Sequence, residues 1–295
     1  MNFIEKYNTR VDAVNSLVCV GLDSDVAKLP AQFASSQTAQ FDFNKAIIDA
    51  THESAAAFKL NIAFYDARGD RGIHELKLTM EYLQSNHPTI PTIVDSKRAD
   101  IGNTNQGYVT EIFDWLGFDA MTLHPYLGKE ALQPFFDRAD KGCIILCRTS
   151  NPGAGEFQDL QVRVGTKGGK PRGLVLPETP EVTQAATIPL WQYVAKRVAN
   201  DWNANNNCLL VVGATYPEEM KKIRELTGEM TFLVPGIGAQ GGDVEQAVKA
   251  GLNSDKKGMI INSSRGIIFA SKGEDFAQSA AHEAQKLRDE INQFR

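Results

Sequence analysis

Cysteine is scarce in this chain, with four thiols (Cys19, Cys143, Cys147 and Cys208) among 295 residues. Each sits in or beside an apolar run, the setting of a buried free thiol rather than a disulfide. Cys143 and Cys147 lack a Cys-x-x-Cys spacing, so no metal site is expected. Long hydrophobic runs are also lacking, and none approaches the length that spans a bilayer. The first residues, Met1-Asn2-Phe3-Ile4-Glu5-Lys6, hold no apolar signal core, and a cytoplasmic location is expected. There is no long basic run and no basic–aromatic interleaving. With 31 Lys and Arg against 36 Asp and Glu, the net charge is -5, which argues against a nucleic-acid partner. An anion site therefore has to be a local concentration of positive charge. No dinucleotide fingerprint occurs, because Gly236-x-Gly238 comes late and lacks the Gly-x-Gly-x-x-Gly spacing. Internal repeats and low-complexity tracts are absent.

What the chain does have is an alternation of short apolar runs and helical patterns. Apolar content is 42% and charged content 23%, ordinary for a globular enzyme. Strands are expected near 17–22, 56–60, 89–94, 118–123, 143–147, 208–212, 231–234 and 258–261. Several are nearly continuous Val, Ile and Leu, as strands buried on both faces should be. Helices are expected near 42–53, 72–85, 103–115, 129–138, 191–199, 217–226, 243–249 and 274–293, with Gly117 as a stop and Pro217 in a first turn. Eight such units point to a single (β/α)8 TIM barrel over residues 1–295. A doubly wound open sheet is the alternative, since strand order is not visible in a sequence. Residues 151–188 form a long insertion after the fifth strand, rich in Gly and Pro. Its composition fits a disordered insert and an active-site cover equally.

In a barrel, chemistry collects at the carboxyl ends of the strands. Asp95-Ser96-Lys97-Arg98-Ala99-Asp100-Ile101-Gly102-Asn103-Thr104 follows the apolar Thr92-Ile93-Val94. Acid, base and acid thus appear where a buried strand should stop. Charges at a strand end are usually solvated or locally paired, but the longer pattern fixes five positions. Alternate side chains of a strand share a face, so Asp95 and Lys97 should project together. Lys59 and Asn61 end the second strand, next to the third in a barrel. Lys59, Asp95, Lys97 and Asp100 would then form a cluster of alternating sign. Asp23, His124 and Ser150 lie at or after other strand ends. After the seventh strand, Pro235-Gly236-Ile237-Gly238-Ala239-Gln240-Gly241-Gly242-Asp243 holds four glycines whose N–H groups can approach an anion. The helix that follows offers its positive end. Arg265, after the eighth strand, can hold a phosphate bidentately. These two loops are the usual phosphate site of the fold.

The third-strand motif and the Pro235–Asp243 loop resemble those of the orotidine 5'-phosphate decarboxylase family, most closely its longer bacterial (type 2) subfamily. The resemblance runs from about residue 17 to about residue 268. It implies decarboxylation of orotidine 5'-monophosphate to UMP, the last step of UMP synthesis, without metal or cofactor. Lys97 would protonate C6 as carbon dioxide leaves, Asp95 would sit beside the substrate carboxylate, and Lys59 and Asp100 would complete the array. It also implies a homodimer in which Asp100, Ile101 and Thr104 reach the partner's site. Asp23 and Thr104 would bind the ribose, Ser150 the base, Pro235 would line the pyrimidine pocket, and Gln240 and Arg265 would hold the phosphate under a closing loop. Sugar-phosphate enzymes such as 3-keto-L-gulonate 6-phosphate decarboxylase share Asp-x-Lys-x-x-Asp, but use Mg²⁺ held partly by an acid on the second strand, where this chain has Lys59. A barrel that merely binds a phosphorylated ligand is the non-enzymatic alternative.

Overall fold

A computed structural model describes residues 1–167, 170–172, 186–237 and 243–295. Its strands are β1 (Val18–Gly21), β2 (Ala57–Asn61), β3 (Thr92–Arg98), β4 (Ala120–Leu123) and β5 (Gly142–Arg148). Three short strands follow, β6 (Gln161–Lys167), β7 (Lys170–Arg172) and β8 (Ala186–Pro189). The last are β9 (Cys208–Val212), β10 (Phe232–Pro235) and β11 (Met259–Ser263). Eight of them close into a barrel in the order β1-β2-β3-β4-β5-β9-β10-β11. Every neighbouring pair is parallel. This is the expected TIM barrel, and the open sheet is set aside. Every residue of β1, β4 and β9 is buried, which explains why these runs are almost wholly apolar, with Thr122 of β4 the polar exception. No helix among the described residues is long and apolar enough to cross a membrane.

Boundaries shift where charge and backbone disagree. The apolar run of the third strand ends at Val94, yet β3 stays paired to Arg98, which lies opposite Leu123 of β4. The helix Gly102–Val109 continues as a π-helical turn over Thr110–Trp115, with Ile112 and Phe113 buried. Gly117 stops it in the left-handed region at φ 78°, where a residue without a Cβ is favoured.

The sequence reading assigned nothing before residue 17, but Phe3–Val14 is a helix. Asn2 and Glu5 form a capping box that satisfies two of its free N–H groups. Phe3, Tyr7 and Val11, spaced by four, bury one face. The Tyr7 hydroxyl donates to the carbonyl of Met259, the first residue of β11, at 2.6 Å. Lys6 pairs with Asp119, just before β4, at 2.8 Å. The helix therefore closes the amino-terminal end of the barrel, opposite the strand ends that carry the polar residues.

The insertion after β5 carries structure of its own. A helix spans Gly155–Gln158, and β6 pairs antiparallel with both β7 and β8. Arg148, buried at the end of β5, anchors this segment. Its guanidinium reaches Asp159 at 3.0 Å and Glu219, on the helix after β9, at 3.0 Å.

Candidate active site

Lys59 is the middle residue of β2, and Asp95 lies on β3 opposite Asn61, the last residue of β2. Lys59 Nζ donates to Asp95 Oδ2 at 3.0 Å, and Lys97 Nζ donates to Asp95 Oδ1 at 2.7 Å. Asp95 is thus clasped between two ammonium groups. Lys59 is 3% exposed, whereas half of the Lys97 side chain is open to the cavity. Burial pushes the Asp95 carboxyl up, but the charges of Lys59 and Lys97 and their hydrogen bonds outweigh it and hold it well below the usual carboxylate range. Burial pulls the Lys59 ammonium down, but Asp95 first and then Asp23 and Cys19 outweigh it and raise it. Both groups stay ionised at neutral pH.

Asp95 and Lys97 do meet, though not by simple strand alternation. Between Val94 and Arg98 the β3–β4 register shifts. Lys97 adopts the left-handed region at φ 48°, which costs a non-glycine residue about 1–3 kcal/mol. The bulge turns the Lys97 side chain back onto Asp95 while Arg98 resumes the ladder.

The charged residues open into a cavity of about 500 Å³ at the carboxyl ends of the strands. It is lined also by Asp23, Ser150, Pro235 and Arg265. Seven of the sequence-predicted residues therefore share one cavity. Asp23 Oδ1 is buried with no hydrogen-bond partner among the described residues. Ser150 packs against Gly213, just after β9. Arg265 is exposed and forms no ion pair among the described residues. Gly236 is left-handed at φ 97°, so β10 can turn sharply beside Arg265. Gln240 lies outside the described residues. The helix Val244–Gly251 differs from expectation in one respect. Its amino end is capped by Asp243, whose Oδ1 accepts from Gln246 N at 2.9 Å, so its positive end is already met by a carboxylate.

Asp100, Ile101 and Thr104 do not line this cavity. Asp100 Oδ1 accepts from the N–H of Ile101 at 2.7 Å, and Asn105 Oδ1 accepts from the N–H of Asp100 at 2.8 Å. Ile101 and Thr104 face outward at the start of the helix Gly102–Val109.

A family model described as orotidine 5'-phosphate decarboxylase / HUMPS family matches residues 16–280. The chain belongs to that family. The orotidine 5'-phosphate decarboxylase of Cellvibrio japonicus (strain Ueda107) is 46% identical over 294 residues, covering 99% of this chain and 98% of that protein. That of Azoarcus sp. (strain BH72) is 44% identical over the whole of both chains. Among solved structures, the OMP decarboxylase of Leishmania donovani is 33% identical with a TM-score of 0.78, covering 100% of this chain and 98% of that one.

Some residues of this decarboxylase-family cavity escaped the sequence reading. Thr122 of β4 donates from Oγ1 to Asp95 Oδ1 at 2.8 Å. Asn61, Gln158 and Asn262 also line the cavity. Of these, Asn61 was already marked as a strand end, and Asn262, next to last in β11, carried the same positional signal. Gln158 was not legible, because it comes from the insertion and is held by hydrogen bonds to Thr149.

Proposed function

We propose that this protein decarboxylates orotidine 5'-monophosphate to UMP and carbon dioxide without a metal or cofactor, with Lys97 as the proton donor. One observation carries the reading: Asp95, held between Lys59 and Lys97, faces a single cavity that also contains Arg265. The nucleotide's phosphate would lie at Arg265 and its pyrimidine carboxylate toward the array. As the C6–carboxylate bond breaks, its electron pair stays on C6 and carbon dioxide departs. The Lys97 ammonium stabilises that charge and then transfers its proton to C6, giving the C6–H of UMP. Solvent restores the lysine proton. Lys59 keeps Asp95 in place and ionised throughout.

Repulsion between Asp95 and the substrate carboxylate contributes less. Two unit charges about 4 Å apart interact by roughly 4 kcal/mol at an effective dielectric near 20. Enzymes lower barriers by roughly 8–23 kcal/mol. Stabilisation of the carbanion by a preorganised ammonium is therefore the main effect, with binding energy from the remote phosphate holding the ring in place.

The Lys59 ammonium supports the metal-free reading, since it takes the place of an acidic ligand and would repel a divalent cation. Four buried free thiols support a reducing compartment such as the cytoplasm. A homodimer is supported by exposed apolar residues beside the array. Ile101 is 62% and Tyr126 89% exposed, at the starts of two helices joined by the Asn105–Ala131 hydrogen bond. The partner would cover them and receive Asp100, Ile101 and Thr104.

The test is loss of orotidine 5'-monophosphate absorbance on adding purified protein, with and without EDTA. Equal turnover in both is expected. Turnover abolished by EDTA would move the protein to the metal-dependent branch, and nucleotide binding without turnover would make it a binder.

A further inference from the structure

The bulge that presents Lys97 has an unusual count. Val94 lies opposite Met121, and Arg98 lies opposite Leu123. Asp95, Ser96 and Lys97 therefore face a single β4 residue, Thr122. That residue bonds to all three. Its Oγ1 donates to Asp95 Oδ1 at 2.8 Å and accepts from the Lys97 N–H at 2.9 Å. Its carbonyl accepts from Ser96 Oγ at 3.2 Å. Thr122 is 1% exposed, so water does not substitute for these bonds.

The direction of the hydroxyl is fixed by its partners. A backbone N–H only donates and an ionised carboxylate only accepts. The Thr122 proton must therefore point at Asp95, and its lone pair at Lys97. The Lys97 N–H bonds to a side chain where a regular ladder would offer a strand carbonyl. One hydroxyl thus ties the left-handed backbone at Lys97 to the carboxylate that receives the Lys97 ammonium.

We propose that Thr122 is a positioning residue that fixes Lys97 and Asp95 relative to each other through its hydroxyl, and that turnover depends on that hydroxyl. The kinetic part rests on the decarboxylase reading above, while the geometric part stands on the fold alone. Without the hydroxyl, the bulge loses the acceptor for its strained residue, and Asp95 Oδ1 keeps only Lys97 as a donor. Lys97 then swings about its own backbone, and the proton it delivers is misplaced. The nucleotide's phosphate and ribose contacts lie elsewhere in the cavity and stay intact.

The test compares Thr122→Val, which keeps shape and loses the hydroxyl, with Thr122→Ser, which keeps the hydroxyl. Misplacement of a reacting group by about 1 Å costs on the order of a hundredfold in rate. The Val variant should lose about that much in kcat, with KM and UMP affinity little changed, and the Ser variant should recover most of it. A Ser variant as impaired as the Val variant, or a loss confined to KM and thermal stability, would overturn the idea. Thr122→Ala replaces the Val variant if that one fails to fold. Crystal structures of the variants supply a second arm that needs no activity. Lys97 should leave the left-handed region, or its ammonium should leave Asp95, in the Val variant only. Unchanged Lys97 geometry there would overturn the proposal whatever the substrate. Absence of turnover in the unmodified protein would instead refute the decarboxylase reading.

Discussion

Asp95 receives hydrogen bonds from Lys59, Lys97 and Thr122, and this crowding sets how the site answers pH. Its folded-state pKa lies below that of the unfolded chain. Its contribution to stability is therefore present above about pH 4 and is lost as pH falls through the folded value. Lys59 is shifted the other way, upward. Its contribution is present below about pH 10 and is lost as pH rises through its folded value. The Asp95–Lys59 pair thus keeps its charge across the physiological range. Asp95→Asn would leave the buried Lys59 ammonium without its main counter-charge. Loss of one partner of a buried pair costs about 3–5 kcal/mol, so chemical denaturation at neutral pH should show a loss of that order. Burial then depresses Lys59, and the deficit should shrink as pH rises toward 10; a deficit independent of pH would show that Lys59 is held by other groups. Lys97→Ala, at the exposed end of the array, should abolish turnover while UMP still binds by calorimetry. Retained turnover would remove Lys97 from the proton-donor role. Lys59, Asp95 and Lys97 were legible because charge at the end of an apolar run is conspicuous. Thr122 was not, because a threonine inside a strand reads as ordinary β sequence, and only the three-to-one register gives it a role.

The elements were legible for a related reason. Strands buried on both faces are largely apolar along their whole length, so eight short apolar runs separated by helical patterns point to a parallel barrel. The end of β3 was misjudged because hydrophobicity reports burial, whereas pairing is a property of the backbone. The helix Phe3–Val14 was missed although its capping box and its four-residue apolar spacing are both in the sequence. It lies before the first strand, outside the alternation that organised the rest. Its place at the closed end of the barrel separates stability from chemistry. Tyr7→Phe removes the donor to the Met259 carbonyl inside the core. An unsatisfied buried group costs about 1–3 kcal/mol, which denaturant titration should register with kcat unchanged. A fall in kcat at constant stability would mean that this end of the barrel communicates with the site.

At the scale of the whole molecule, the decarboxylase reading asks a chain of net charge -5 to draw a nucleotide bearing both a phosphate and a carboxylate into one cavity. Lys59, Lys97 and Arg265 supply the local positive field, but Asp23 and Asp95 stand among them. A further carboxylate from Asp100 would not raise the attraction; its use would be to hold Lys97 from the side opposite Asp95. Within one chain Asp100 bonds instead to the backbone at Ile101 and is absent from the cavity lining. A second copy resolves this if the outward face carrying Ile101 and Thr104 docks beside the neighbouring site, burying Tyr126 and Leu127 as well. Association and activity should then be lost together. Ile101→Asp places a charge in that apolar contact and should weaken association about tenfold or more, about 1.4 kcal/mol, in sedimentation equilibrium. At concentrations where the variant is monomeric, turnover should collapse, and raising the protein concentration should restore part of it. An active monomer would show each site to be complete within one chain. A variant that stays dimeric and active would place the interface on another face.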